Sequence, residues 1–286
     1  MEWLQKMNEA LDYLEEHLEG DPDLEQAARR AGCSGYHFQR IFSYLAGMPL
    51  GEYLRRRKMT RAALDLQGGA KVLDTALRYG YDSPTAFSRA FQKLHGVSPS
   101  AARRPGAVLK SYPPIRFQLS IKGVTEMEFR MEQRGAFRVI GLKTPMTRIL
   151  EENHGKIPAF WAKTAADGRI PELISRMDPA LTGILGISAC PPCGEWTYYI
   201  AAASSAEAPE GMEALEIAAG TWAVFPGKGP MPQAIQELER RIFTEWLPSS
   251  GWEYADNPDI ERYLTPDPRG DVSFEVWLPI RRKSEK

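Results

Sequence analysis

From residue 2 to residue 18, Leu4, Met7, Leu11, Leu14 and Leu18 recur at helical spacing with polar positions between them. That is an amphipathic helix with one buried face, and Gly20 stops it. Asp23 is placed to cap a second helix, with Gln26 three positions on as its capping-box partner. This helix runs to about Ala31, and Gly32 turns the chain into a third. There Phe38, Ile41, Phe42 and Leu45 share one face, which is core. Gly35, Tyr36, Gln39, Arg40 and Ser43 are left pointing outward. Pro49 opens a longer helix to about Gln67, with Arg55, Arg56, Arg57, Lys58 and Arg61 expected on its exposed side, and Gly68-Gly69 breaks it. Val72 to Tyr79 reads as a support helix, Gly80 as a turn, and Ser83 to Leu94 as a further helix.

These helices contain a repeat. Residues 34–42 return 49 positions later, matching Ser34/Ser83, Phe38/Phe87, Arg40/Arg89, Phe42/Phe91 and Gly47/Gly96, with Ala27/Ala76 upstream at the same offset. A short repeat of this kind is one supersecondary unit used twice. Each unit is helix, tight turn, helix, and each serine is a good N-cap because its oxygen accepts from an orphan backbone N–H. An outward Gln and Arg on a short helix after a glycine turn fits the second helix of a helix-turn-helix. The candidate DNA-contacting residues are Tyr36, Gln39, Arg40 and Ser43 on the first unit and Thr85, Ser88, Arg89 and Lys93 on the second. Arg40 can address a guanine edge or a phosphate, and the two stay open here. The connecting helix of roughly 18 residues is about 27 Å long, enough to set two reading helices near the ~34 Å spacing of successive major grooves.

The chain changes character after Pro105-Gly106 and Pro113-Pro114. Residues 1–108 are read as the helical domain, 109–125 as a linker and 126–286 as a second domain. In the second, period-two alternation predicts strands at 127–131, 137–142, 183–187 and 196–203, with a helix around 157–161. The order then recurs: strands at 212–217 and 222–225, a helix over 232–247, strands at 260–264 and 272–279. An offset of 85 aligns Met127/Met212, Val139/Val224, Pro145/Pro230 and Trp161/Trp246. The expected fold class is therefore an all-α double helix-turn-helix domain followed by an α+β domain of two pseudo-twofold-related β-β-α-β-β halves. Such halves leave a groove between them, a natural ligand site.

Charge sharpens this division. The whole chain carries −1, but residues 26–110 hold fifteen basic against four acidic side chains. One basic segment in a neutral chain points to a polyanion partner for that segment. The 286 residues suit about two domains, and no apolar run approaches the roughly 20 residues that span a bilayer. The chain opens with no signal-peptide pattern, and its three cysteines make no disulfide framework, so a cytoplasmic location is expected.

The residues that carry a resemblance are Leu24-Glu25-Gln26-Ala27-Ala28, Gly32-Cys33-Ser34, Phe38-Gln39-Arg40-Ile41-Phe42, Gly80-Tyr81-Asp82-Ser83, Phe87-Ser88-Arg89-Ala90-Phe91 and Gly96-Val97-Ser98-Pro99. Over residues 5–104 the chain resembles the DNA-binding domain of the AraC/XylS family, in the Rob-like arrangement where the reader leads. Pro84-Thr85-Ala86 departs from the family's more polar pattern, so base reading by the second helix is less expected than by the first. Residues 126–282 resemble the GyrI-like effector-binding domain through Ile157-Pro158-Ala159-Phe160-Trp161, Tyr198-Tyr199, Ala218-Ala219-Gly220-Thr221-Trp222, Trp246-Leu247-Pro248 and Phe274-Glu275-Val276-Trp277. That resemblance implies a hydrophobic, often cationic small molecule held by aromatic walls and a buried carboxylate.

In 272–279, Ser273, Glu275 and Trp277 alternate with Phe274, Val276 and Leu278. A Glu beside an aromatic, on a strand apolar on its other face, needs a cation or donors if it is buried. Glu275 is therefore the candidate carboxylate, and Trp161, Trp196, Tyr198, Trp246 and Trp277 are candidate walls; the bland alternatives are an ion pair within the domain and core packing. Cys190-Pro191-Pro192-Cys193 has CxxC spacing, but without a second Cys pair or a His cluster it reads as a turn. No cofactor, metal or catalytic residue is expected. The expected function is a sequence-specific transcription regulator, not an enzyme, with promoter DNA, a small-molecule effector and RNA polymerase as partners and no membrane. Two alternatives stand beside it: a domain that hydrolyses its ligand, and a protein-docking module with none.

Overall fold

In the computed structural model, which describes residues 2–118, 126–190, 194–266 and 271–282, the first part of the chain is helical. Its elements are α1 (Glu2–Glu16), α2 (Leu24–Ala31), α3 (Gly35–Ala46), α4 (Leu50–Gln67), α5 (Val72–Arg78), α6 (Pro84–His95) and the single turn α7 (Pro99–Ala102). The caps are those the sequence supplies: Asp23 accepts from the Glu25 and Gln26 N–H groups at 2.9 and 3.0 Å, and Ser34 and Ser83 start α3 and α6. Gln26 does not close a capping box. Its side-chain oxygen accepts from the Tyr13 hydroxyl at 2.8 Å and so ties α2 to α1.

The helices split between two cores. Met59, Leu66, Ala76, Phe87 and Phe91 build a core private to the second half of the helical region. Met7, Leu14, Phe38 and Phe42 instead belong to a cluster that runs on into Phe225, Phe243 and Phe274, far along the chain. The two repeat units are thus alike in backbone but not in surroundings.

Arg57 corrects an expectation. It is buried, not exposed, and grips Glu15 of α1 with both ends of its guanidinium, Nε to Oε1 at 2.8 Å and Nη2 to Oε2 at 2.7 Å. Tyr53, Arg57 and Thr60 form an i, i+4, i+7 stripe, and α1 and the chain around Tyr112 cover that stripe: Arg57 also donates to the Tyr112 carbonyl, and the Tyr112 N–H donates to Thr60 Oγ1 at 3.1 Å. Arg55 and Arg61 are exposed as expected, and Arg56 and Lys58 are half-buried. The start of the expected linker is anchored as well, since Phe117 is buried and exchanges hydrogen bonds with the Asn8 side chain at 2.8 and 3.0 Å. Residues 119–125 lie outside the described residues.

The rest is a sheet covered by helices on one face. The first half comprises β1 (Arg130–Arg134), β2 (Phe137–Pro145), α8 (Leu150–Ala166), α9 (Arg169–Ser175), β3 (Ile184–Ala189) and β4 (Thr197–Ala203). The second comprises β5 (Glu213–Ile217), β6 (Gly220–Gly229), α10 (Gln233–Arg241, continued by a π turn over Ile242–Trp246), β7 (Trp252–Tyr254), β8 (Asp259–Pro266) and β9 (Val272–Arg282). α9 and β7 were not legible in the alternation. The strand order is β1-β6-β9-β8-β3-β4-β2-β5, with β7 added beside β9. Exchanging the halves reads this order backwards, so a pseudo-twofold passes between β3 and β8. Each half also lends its first strand to the other: β1 pairs with β6 and β5 with β2. α8 and α9 cover one wing through Leu150 and Leu173, and α10 covers the other through Ile235 and Phe243. Strand residues including Leu185, Trp222, Ile260 and Trp277 form a separate apolar cluster on the opposite face.

The Arg57 clamp gives a stability test. Arg57→Ala leaves Glu15 with only the Tyr53 hydroxyl and no cation among the described residues, and breaking a largely buried pair this way costs about 3 kcal/mol. Thermal unfolding of the full chain should show a lowered Tm, whereas Arg55→Ala, on the exposed side of α4, should leave it within the error of measurement.

Candidate functional site

The centre of interest lies where α3 meets the sheet domain. Gly35, Tyr36, Gln39 and Arg40, expected outside, are all buried, and so is His37 between them. The reading of Tyr36, Gln39 and Arg40 as outward-facing is therefore corrected. The helical period placed them opposite Phe38 and Phe42 correctly, but the sheet domain covers that second face too. Arg40 is only 8% exposed. Its Nη1 donates to Asp259 Oδ2 at 3.0 Å and its Nη2 to Glu239 Oε1. The Tyr44 hydroxyl donates to the other Glu239 oxygen at 2.8 Å. His37 Nε2 lies 3.1 Å from Asp259 Oδ2, and the Tyr254 hydroxyl donates to Oδ1 of the same carboxylate. Burial alone would raise the Asp259 pKa; His37, Arg40 and Tyr254 outweigh it and hold the carboxyl below its ordinary value. Gln39 donates to the Arg148 carbonyl at 3.0 Å, and Tyr36 meets the Trp196 ring edge-on at 5.4 Å. Ser43 is half-buried and donates to the Gln39 carbonyl at 2.9 Å.

Beside this clamp is a cavity of about 880 Å³. α8 walls it on one side with Leu150, Ile157 and Trp161, and Pro232, Ile235 and Glu239 wall the other; Ile184, Tyr198, Glu261 and Tyr263 lie on the strands between. Tyr36, Arg40 and Tyr44 of α3 complete the lining. The groove is thus the one the two halves leave between them, closed further by α3. Glu261 organises the strand side: Tyr198 and Tyr263 both donate to its Oε2, at 3.0 and 2.8 Å, and Trp161 Nε1 donates to the Tyr198 oxygen at 3.0 Å. Burial first, and the Glu261 charge second, raise both phenol pKa values well above the ordinary, so both keep their protons and act as donors. Gly186 makes the arrangement possible. A Cβ there would sit 2.2 Å from the Tyr198 hydroxyl and 2.9 Å from Glu261 Oε2.

Of the residues proposed from sequence for a ligand, Trp161 and Tyr198 line this cavity. Glu275 does not. It faces Arg130 at 2.8 Å and Arg262 at 3.0 Å and accepts from Trp277 Nε1 at 2.9 Å. Its carboxyl, which burial alone would raise, is held below the ordinary value by Arg130, Trp277 and Arg262. The register gives the reason. Arg262 of β8 pairs with Glu275 of β9, so these two share a face, and Glu261, one residue earlier, points to the opposite one. Trp277 packs against Trp222 on Glu275's face, 6.3 Å between ring centres. Trp196 stacks beneath the Arg148 guanidinium at 4.6 Å, and Trp246 packs on Phe225 at 4.9 Å. Trp277 and Trp196 are core aromatics and Trp246 is half-buried against the core; none of the three is in the cavity lining.

Sequence reasoning missed Glu261, Tyr263, Glu239 and Tyr44. Glu261-Arg262-Tyr263 repeats the Glu-x-aromatic pattern that singled out Glu275, and that signal was available. On α6, Thr85, Arg89 and Lys93 are exposed and Ser88 is half-buried. Cys190 is buried and its thiol pKa is raised by that burial; residues 191–193 of the CxxC stretch lie outside the described residues. Among the described residues no group of three or more His, Cys, Asp or Glu could hold a metal ion.

Comparison with known proteins gives two domain matches. Residues 130–280 match the integron-associated effector binding protein family and residues 27–105 a helix-turn-helix domain family. The HTH-type transcriptional activator AarP of Providencia stuartii is 40% identical over 98 residues, 34% of this chain and 73% of that protein. The right origin-binding protein of Escherichia coli is 37% identical over 113 residues, 38% of this chain but 39% of that protein's length. Among solved structures, SAV2435 bound to tetraphenylphosphonium is similar with a TM-score of 0.48 and 23% identity, over 54% of this chain and 94% of that one. The chain belongs to the AraC-type family of DNA-binding transcription regulators and carries, behind its helix-turn-helix domain, a domain of the integron-associated, GyrI-like effector-binding family.

Proposed function

We propose that the chain regulates transcription from promoters it contacts through α6 and α3, under the control of a bulky hydrophobic effector that carries a positive charge. One observation carries the effector reading: a large apolar, aromatic-walled cavity with the Glu261 carboxylate on its strand side. That carboxylate receives only neutral hydroxyls; no Lys or Arg among the described residues pairs with it. A cavity of this kind attracts cations twice, through the carboxylate charge and through the faces of Trp161 and the tyrosines. Arg40 also lines it, but its charge is offset by Glu239 and Asp259.

The DNA reading rests on the basic helical segment and on α6, whose Thr85, Arg89 and Lys93 stand clear of the protein. Arg55 and Arg61 add exposed positive charge on α4. RNA polymerase is the downstream partner in this reading, and the cytoplasm the site of action; no helix among the described residues is long and apolar enough to cross a membrane.

Two measurements test the reading. Arg89→Ala and Lys93→Ala should each weaken binding of the full chain to duplex DNA and lower the slope of log affinity against log salt by about one; slopes equal to wild type would remove α6 from the interface. For the cavity, Glu261→Gln keeps shape and removes charge. Calorimetry should show tetraphenylphosphonium weakened by about tenfold, while a neutral triaryl compound of similar size keeps its affinity. Equal losses for both compounds would take the carboxylate out of ligand recognition.

A further inference from the structure

The helix that completes the cavity is the same helix that the sequence repeat marks as the first DNA reader. Tyr36, Arg40 and Tyr44 line the cavity, and α3 presents Arg40 to it in a form that DNA cannot use: buried, and held between Glu239 and Asp259. Gln39, the neighbouring reader candidate, is engaged with the Arg148 carbonyl. A guanidinium in that clamp cannot also reach a base or a phosphate. We propose that the effector site is a composite of both domains, with α3 as one of its walls, so that effector and duplex DNA compete for α3. This inference rests on the effector reading of the cavity given above.

The sign of the coupling follows from which groups are satisfied. Both Glu239 oxygens accept hydrogen bonds, one from Arg40 and one from Tyr44. Both Asp259 oxygens are engaged as well, by Arg40 and His37 on one side and Tyr254 on the other. An entering cation would have to break these bonds to settle at the clamp, whereas Glu261 offers a charge that, among the described residues, neutral hydroxyls alone meet. The ligand therefore seats at Glu261 and packs against Tyr36 and Tyr44 with the clamp intact. Those ring contacts exist only while α3 is docked, and a ligand shifts an equilibrium toward the state it binds better. Effector binding stabilises the docked helix, and DNA binding to α3 removes one wall of the effector site. By linkage the two penalties are the same factor.

The test uses the full chain, tetraphenylphosphonium as the cation and a duplex enriched from a random pool by the same protein. Calorimetry should show the cation bound about tenfold more weakly when the duplex is saturating. A DNA-binding titration should show the duplex weakened by the same factor when the cation is saturating. Tyr44→Ala should weaken the cation by about fivefold without DNA present. Tyr44→Phe, which keeps the ring, serves if the alanine variant does not fold: it should retain cation binding and antagonism, and the wild-type competition needs no variant. If the cation binds and responds to Glu261→Gln but has one affinity with and without duplex, the effector reading stands and the composite wall is wrong. Tighter cation binding with duplex present overturns the proposed sign. No cation binding, or binding indifferent to Glu261→Gln, overturns the effector reading and this inference with it. Failure to enrich any duplex overturns the DNA reading and the competition together.

Discussion

A guanidinium held between two carboxylates ties the helical part of the chain to the sheet at its most buried polar contact. Arg40 comes from α3, Glu239 from α10 and Asp259 from the start of β8, so the three elements meet at one point. Burying three charges is expensive, and well-packed apolar residues of the same volume would often hold two surfaces together at least as firmly. What the charged clamp supplies is a definite geometry. Hydrogen bonds from Tyr44 and Tyr254 and the close approach of His37 complete the shells of both carboxylates, and one rotation of α3 about its axis satisfies them together. The apolar cluster around Phe42, Phe225 and Phe243 adds area beneath the clamp, but apolar contact is non-directional. The directional contacts are the charges, together with the Gln39 hydrogen bond to the Arg148 carbonyl and the Tyr36–Trp196 ring pair.

The backbone of both domains was legible in the sequence because it is set by local chemistry. Ser34, Ser83 and Asp23 cap helices through their own oxygens, the glycines at 32, 47 and 96 end helices at φ of 76, 65 and 80°, and the period-two runs became strands close to where they were expected. The duplication at an offset of 85 survives as a sheet order that reads the same from either half. Exposure was less legible. Tyr36, Gln39 and Arg40 form a polar face, and a polar face defaults to solvent. Here it meets Glu239 and Asp259, about 200 positions away, and no local pattern in α3 carries that information. Arg57 failed for the same reason on a smaller scale, since Glu15 lies on another helix.

The site carboxylate shows a narrower limit. Glu275 and Glu261 both stand two residues before an aromatic ring on a strand, and sequence periodicity gives each the same standing. Strand pairing separates them: Arg262 lies opposite Glu275, so Glu275 finds its cations within the domain, while Glu261 turns to the face under the helices. Alternation says which residues share a face, and only the partner strand says which face that is.

The exchange of first strands between the halves constrains what the cavity can admit. β1 is laced into the second half and β5 into the first, while β3 and β8 are hydrogen-bonded to each other across the pseudo-twofold. The halves cannot part like jaws without tearing main-chain ladders at three places in one sheet. The strand side of the cavity therefore has a fixed width, and Gly186, Tyr198 and Glu261 hold fixed positions on it. Tolerance for guests of different size must come from the movable parts around that rigid frame, the side chains of α8 and α10 and the docked helix α3. Breadth of recognition and control of the reader are then two uses of the same mechanical freedom.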